Sequence, residues 1–226
     1  MNIYIDIETI PTQPENDAKL EIAETIKPPA SMTKAETIAD WHAGSGKYTG
    51  VKDRKIDEAY RKTALDGTRG EIICICFATD HKEYSVYRKP ERSEFEMLLE
   101  FYALLNDALA NGQIPYFIGH NVVFDLRFIV QRSIINAGIK PPPFRIPANG
   151  RHGSDFFCTM TAWAGFRERI SLDNLSAVLR CGEKGGMSGA EVWDNYKLDA
   201  HDAIKAYCAQ DVALVRDIFK RINLFV

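Results

Sequence analysis

The feature that most constrains this chain is the run Ile3-Tyr4-Ile5-Asp6-Ile7-Glu8-Thr9. Strict alternation specifies a strand, with Ile3, Ile5 and Ile7 on one face and Tyr4, Asp6 and Glu8 on the other. Two strand positions span roughly 6.6 Å, so the carboxylates of Asp6 and Glu8 stand side by side. At neutral pH they repel each other, and nothing within the strand relieves that repulsion. Two arrangements do. Either the strand lies at a sheet edge with its polar face in water, or a hard cation such as Mg²⁺ or Mn²⁺ binds between the oxygens. The second arrangement needs further carboxylates to converge from elsewhere in the chain.

The rest of the sequence supplies a frame for that strand. Ile72-Ile73-Cys74-Ile75-Cys76-Phe77 is nearly continuous in apolar residues, the pattern of a central strand covered on both faces. Asp80-His81-Lys82 turns it into a hairpin partner over Glu83 to Tyr87. Ser93 and Glu96 form a capping box before an amphipathic helix with Phe95, Leu98, Leu99, Tyr102 and Leu105 in its stripe, closed at Gly112. Tyr116-Phe117-Ile118 is a further short strand, and a second helix is expected from about Val122 to Ala137. After a loop stiffened by Pro141-Pro142-Pro143 and running past Arg151 and Gly153, the remainder reads as helical. It contains a short helix from Ser171 to Gly182, a flexible stretch marked by Gly185, Gly186 and Gly189, and a last helix from Ala200 to Asn223 capped by Asp199. Strands first, then helix, strand and helices, specify an α/β fold with a mixed sheet flanked by helices.

Residues 11–69 do not follow this pattern and read as a largely helical insertion after the first strand. Helices are expected over Lys19 to Ile26, behind a Thr33/Glu36 capping box, and over Lys52 to Leu65. Lys47, Lys52, Arg54, Lys55, Arg61 and Lys62 are interleaved with Trp41, Tyr48 and Tyr60. This mixture suits a grip on single-stranded nucleic acid by phosphate contact and base stacking. It equally suits a solvated helical excursion that its aromatics anchor to the body.

With 226 residues the chain is read as a single domain, 1–226, carrying the insertion 11–69. Its 46% apolar and 26% charged residues are those of an ordinary soluble protein. No run is apolar and long enough to cross a bilayer, and the N-terminus enters a strand directly, so a cytoplasmic location is expected. Five cysteines without a C-x-x-C pair argue against a disulfide framework and a structural zinc site. All five are expected to be small core residues in a reducing compartment. A net charge of −3 gives no global attraction to nucleic acid, so such binding needs local basic patches or bound metal ions.

Two more carboxylates stand out. Gly119-His120-Asn121-Val122-Val123-Phe124-Asp125 follows the strand that ends at Ile118, with Asn121 as a plausible N-cap and Asp125 in or just after the first turn. An acid there favours the positive end of the helix dipole, and it also stands near a strand end, where ligands of open α/β sheets gather. In the last helix the apolar stripe runs Ile204, Tyr207, Cys208, Asp211, Val212, Val215, Ile218, Phe219, Ile222. Asp211 therefore faces the core, where a carboxylate needs a partner: an arginine, a backbone donor or a metal. Tyr207 lies one turn earlier on the same face.

Asp6-Ile7-Glu8, Asn121-Val122-Val123-Phe124-Asp125 and Tyr207-Cys208-Ala209-Gln210-Asp211 resemble, in order, the three motifs of the DEDDy 3′–5′ exonucleases. These have the RNase H-like fold and include the proofreading domains of family-B DNA polymerases. The resemblance covers Met1 to Ile10 and Gly70 to Val226, and Ser171-Leu172-Asp173-Asn174-Leu175 is similar to the family's segment before its last helices. The tyrosine, with Ala206 where a histidine would stand, places the chain in the tyrosine branch. It is similar to standalone exonucleases of phage and bacterial origin. No polymerase domain follows, which implies a freestanding nuclease or a subunit, with association with a replication or recombination protein as a further expectation. The insertion departs from the family pattern.

The resemblance implies two divalent ions, Mg²⁺ or Mn²⁺, roughly 3.5–4 Å apart. Asp6 is expected to bridge them, Glu8 and Asp211 to complete the first, and Asp125 to serve the second. One ion activates water and the other stabilises the leaving 3′ oxygen, while Tyr207 orients the water, its pKa near 10 making it a poor base. The implied reaction releases nucleoside 5′-monophosphates from 3′ ends of DNA, expected to be single-stranded. RNA with the same chemistry, or a non-catalytic nucleic-acid-binding module, are the alternatives. Thr9, His120, Asn121, Phe124 and Lys184 are candidate substrate contacts, His120 and Asn121 alternatively bracing a helix and Phe124 alternatively a core residue. Arg151 and His152 are further candidates for phosphate, and Trp163 and Trp193 are expected in the core.

Overall fold

In the computed structural model, which describes residues 1–109, 112–140, 142–182 and 185–225, the strand bearing Asp6 and Glu8 is the third of five rather than an edge. The chain runs β1 (Asn2–Ile10), α1 (Glu15–Thr25), α2 (Ala35–Ala43), α3 (Val51–Lys62), β2 (Glu71–Ala78), β3 (Glu83–Tyr87) and α4 (Glu94–Ala108). It continues with β4 (Tyr116–Gly119), α5 (Val122–Ile135), β5 (Phe156–Cys158), α6 (Thr159–Ala164), α7 (Leu172–Leu179), α8 (Val192–Lys197) and α9 (His201–Ile222). The sheet order is β3-β2-β1-β4-β5, with β2 and β3 antiparallel and β1, β4 and β5 parallel to one another. This mixed sheet flanked by helices is the α/β arrangement that the element pattern specifies, and it is the RNase H-like arrangement that the family resemblance implies.

Alternation along β1 decides what each face meets. Ile3, Ile5 and Ile7 join Leu98, Phe101 and Leu105 of α4 and Leu126 and Ile129 of α5 in the main core. Tyr4, on the other face, meets Phe219 of α9 edge-on at 5.8 Å between ring centroids. Burying both faces explains why the strand is not an edge. Each fully buried isoleucine contributes on the order of 2 kcal/mol relative to exposure. The stripe of α9 is buried as its spacing specifies, including Ile204, Cys208, Val212, Val215 and Ile218.

Several local expectations change. Residues 156–158 form a strand and 192–197 a helix where the sequence reads as loop, helix or flexible stretch. The capping box at Ser93 and Glu96 is present, but α4 ends at Ala108 rather than at Gly112, and its Leu99 is 43% exposed. Among the described residues, neither Thr33 nor Asp199 caps a helix: α2 begins after Lys34 and α9 after Ala200. Cys74, Cys76, Cys158 and Cys208 are buried as expected, whereas Cys181 is only half-buried. Trp193 is buried, but Trp163, expected in the core, is 47% exposed. No helix among the described residues is long and apolar enough to cross a membrane.

The chain divides into two compact units, Met1–Thr9 with Ile72–Val226, and Ile10–Glu71. In the second, α1 packs on α3, and Lys19 bonds both Glu15 (2.8 Å) and Asp57 (2.7 Å). Trp41 and Tyr60 are buried, with Lys55 over the Trp41 ring and Lys19 over Tyr60. Their rings are therefore not offered to bases, which corrects the stacking role for these two. They pack within their own unit instead, Trp41 against Tyr48 with ring centroids 5.8 Å apart.

Candidate active site

β1 brings Asp6 and Glu8 to its C-terminal half because it runs on past the last of its residues paired with β4, where Tyr4 stands opposite Ile118. The chain after β4 must then turn at once. A Cβ on Gly119 would lie 3.0 Å from the Ile5 carbonyl oxygen and 2.8 Å from Val122, so only glycine lets β4 end so close to β1. Asn121 takes the left-handed conformation (φ 62°), and α5 begins at the next residue. Asn121 thus occupies the N-cap position, but its side chain makes no capping hydrogen bond among the described residues, contrary to expectation. The sharp turn sets Asp125, 3% exposed, against β1, where its Oδ1 accepts the Ile7 N–H at 3.2 Å.

α9 crosses the other face. The Cys208 thiol donates to the Asp6 carbonyl oxygen at 3.4 Å, which fixes the register of helix on strand. One residue earlier and three later, Tyr207 and Asp211 are 6% and 5% exposed. Glu8 is 7% exposed and Asp6 half-buried. Three elements therefore bring four carboxylates and one phenol to a single end of the sheet.

The electrostatics express that convergence. Burial, then the charges of Glu8, Asp125 and Asp211, hold the Asp6 carboxyl well above the usual carboxylate range. Burial pushes Asp125 up to about 8, with Asp211 adding to the shift and the Ile7 N–H opposing it. Burial raises the Tyr207 phenol too, followed by Asp211, Glu8, Asp6 and Asp173. The charges that raise these groups are the carboxylates of the site itself. Carboxylate oxygens of Asp6 and Glu8 and the Cys208 sulfur lie within 4.8 Å of one another. An oxygen-rich, anionic donor set of this kind fits a hard divalent cation, whose binding would relieve the repulsion.

The remaining sequence candidates distribute unevenly. His120 bridges two segments: Nδ1 pairs with Thr159 Oγ1 at 2.9 Å and Nε2 with the Ile170 carbonyl at 2.8 Å, so both ring nitrogens are engaged in bracing. Phe124 is half-buried against Phe128, with ring centroids 5.5 Å apart, and packs on the core. Thr9 is half-buried on β1 beside Glu8. Lys184 lies outside the described residues. Arg151 and His152 are exposed in a loop tied to the start of β4, where Tyr116 donates to the Gly153 carbonyl at 3.1 Å.

Two further neighbours of the site lie inside segments that the sequence singles out without assigning these residues a role. Asp173, in the first turn of α7, is close enough to raise the Tyr207 phenol. A cavity of about 480 Å³ opens beside Tyr207, lined by Met187, Glu191, Asn195 and Gln210 among others, with Gln210 Oε1 accepting the Gly185 N–H at 3.0 Å. The available hint was spacing, since Gln210 lies three residues after Tyr207 on one helix.

A family model described as "Predicted 3'-5' exonuclease related to the exonuclease domain of PolB" matches residues 65–225. The match spans β2 to α9 and includes Asp125, Tyr207 and Asp211, while Asp6 and Glu8 precede it. No curated protein matches the chain. With well over half of its length matched, the chain belongs to this family of predicted 3′–5′ exonucleases related to the exonuclease domain of PolB.

Proposed function

We propose that this protein is a DEDDy-type exonuclease that removes nucleoside 5′-monophosphates from the 3′ end of single-stranded DNA. The observation that carries the reading is the convergence of Asp6 and Glu8 from β1, Asp125 from α5, and Tyr207 and Asp211 from α9. A structural purpose does not call for four mutually repelling carboxylates in one buried place, since replacing them with apolar groups would remove a desolvation cost.

Asp6, Glu8, Asp125 and Asp211 would hold two divalent cations, Mg²⁺ or Mn²⁺. When bound, such ions supply Lewis-acid activation of water and charge stabilisation at the scissile phosphate. The chain's own contribution is positioning. Asp125 is fixed by the Ile7 N–H, and Asp6 by a strand buried on both faces, so the donors are aligned before substrate arrives. Tyr207, its phenol raised and therefore neutral, donates a hydrogen bond that orients the attacking water and takes no proton from it. Water attacks phosphorus in line, the P–O3′ bond breaks, and the proton lost by water passes to solvent as the 3′ oxygen acquires one.

The test is degradation of a 5′-labelled single-stranded DNA oligonucleotide with Mg²⁺ or Mn²⁺, by wild type and Asp6→Ala. The expected result is a ladder shortening from the 3′ end, lost with EDTA and in the variant. The same assay on RNA of the same sequence decides the sugar. If neither metal gives a ladder on either polymer, the catalytic reading fails.

A further inference from the structure

Residues 159–173 form an excursion whose two ends are pinned to the rim of the site. At one end Thr159, directly after β5, bonds His120 Nδ1, and Cys158 stands opposite Gly119 in the sheet. At the other end the Ile170 carbonyl bonds His120 Nε2, and Asp173 reaches the electrostatic neighbourhood of Tyr207. β5 lies two strands from β1, about 10 Å away, so the excursion rises beside the carboxylates at the same end of the sheet. α6, its first part, packs on α9, the helix that carries Tyr207 and Asp211.

The excursion turns aromatic rings and guanidinium groups outward together. Trp163 is 47% exposed and Phe166 82% exposed. Arg167 stands over the Phe166 ring, 5.2 Å from its centroid, and Arg167 and Arg169 are both exposed. A core role would have buried the rings. Two exposed aromatics followed by two arginines, which flank the exposed Glu168 and outnumber it, match the chemistry that holds an unpaired strand, namely base stacking with phosphate contact. Charge points the same way. The quartet repels a polyanion and the chain carries a net −3, so a substrate needs local positive charge near the entrance.

Resting on the nuclease reading above, we propose that Trp163, Phe166, Arg167 and Arg169 form the platform for the unpaired strand leading to the scissile phosphate. Phe166 and Trp163 stack on bases upstream of the 3′ end, and the arginines contact the intervening phosphates. The contact is sequence-tolerant, and it requires bases that are unstacked from a complementary strand.

Two measurements test it. In the first, kcat/KM is compared for an eight-nucleotide single strand and a dinucleotide. The wild type should favour the longer strand, and Trp163→Ala/Phe166→Ala should lose about 10-fold or more of that preference, mainly through KM. Phe166→Leu, which keeps apolar bulk without the ring, should share part of the loss. In the second, tryptophan fluorescence is followed as the eight-nucleotide strand is added to Asp6→Ala protein with Mg²⁺. Of the three tryptophans, Trp41 and Trp193 are buried, so quenching should report Trp163 and vanish in Trp163→Phe. A wild type that degrades strands, with unchanged length preference in the double variant and no quenching, overturns the platform. A wild type that cleaves nothing, while Trp163 is still quenched by the strand, supports the platform and sinks the nuclease reading instead.

Discussion

Asp125 holds Ile7: its Oδ1 accepts the Ile7 backbone N–H at 3.2 Å, joining residues 118 apart in sequence. Ile7 lies between Asp6 and Glu8, beyond the part of β1 that β4 pairs, so Asp125 serves this N–H where a neighbouring strand no longer does. The same carboxylate thus aligns the strand and contributes charge to the site. The two roles separate by substitution. Asp125→Asn keeps an oxygen acceptor for Ile7 and should fold at least as stably as wild type, while activity falls on the order of 10²–10³-fold. Asp125→Ala should lose comparable activity and also about 1–3 kcal/mol of stability, because it leaves a buried N–H without its acceptor. Denaturant melts of both variants check this; equal stability of the two would show that the Ile7 bond contributes nothing.

The raised carboxyls make the metal-free protein respond to pH in an unusual sense. Asp125, pushed up to about 8, and Asp6, also raised, bind protons in the folded state that the unfolded chain releases near pH 4. Between about pH 4 and 8 the folded state therefore holds more protons, and these groups lower stability as pH rises. One such group changes Tm by at most about 3–5 °C per pH unit in a chain of this size. Thermal melts in EDTA from pH 5 to 8 should show wild type falling relative to Asp125→Asn, which cannot titrate at that position. Adding Mn²⁺ at pH 8 should raise the wild-type Tm. A wild type whose Tm climbs across this window relative to the variant would contradict the assignment of repulsion.

Tyr207 is expected to act as a neutral donor. Burial and the charges of Asp211, Glu8 and Asp6 all favour the phenol over the phenolate. Tyr207→Phe removes the hydroxyl while preserving the buried ring, so kcat should fall about 10²-fold with KM little changed. The shape of the pH–rate profile should stay the same, since no phenolate ionisation is being removed. A missing alkaline limb in the variant would instead make Tyr207 a base.

Alternation and stripe periodicity report which side chains share a face, and they showed where the Ile3–Thr9 strand and the α9 stripe would carry their carboxylates. They could not report what lies opposite a face. Asp125 is an instance: its sequence position near a helix start was visible, but its contact with Ile7 depends on the left-handed Asn121 and the close approach at Gly119. β5 was missed because three residues are too few to display a period of two. Trp163 shows the opposite failure, since an aromatic in a short apolar segment suggests the core by composition while the chain turns it outward. Basic and aromatic interleaving over Trp41 to Tyr60 likewise said nothing about the rings being buried.

Glu94 and Arg132 form a stability determinant that is hidden in the sequence. Glu94 reads as a first-turn acid of α4, yet it is 5% exposed and accepts from four donors. These are the Ile72 N–H at 2.7 Å, Arg132 Nε and Nη2, and Asn136 Nδ2 at 2.7 Å. One carboxylate therefore ties α4 to β2 and α5 on the face of the sheet away from α9. Arg132→Met would fill similar volume but leave Glu94 buried without its counter-ion, at a cost of about 3–5 kcal/mol. That is roughly a 10 °C fall in Tm for a chain of this length. Adding Glu94→Gln to Arg132→Met removes the stranded charge and keeps an acceptor for Ile72, so the double variant should recover a large part of the loss. If the double variant melts as low as Arg132→Met alone, the cost lies in packing of the arginine stem rather than in the charge, and Glu94 does not organise these elements.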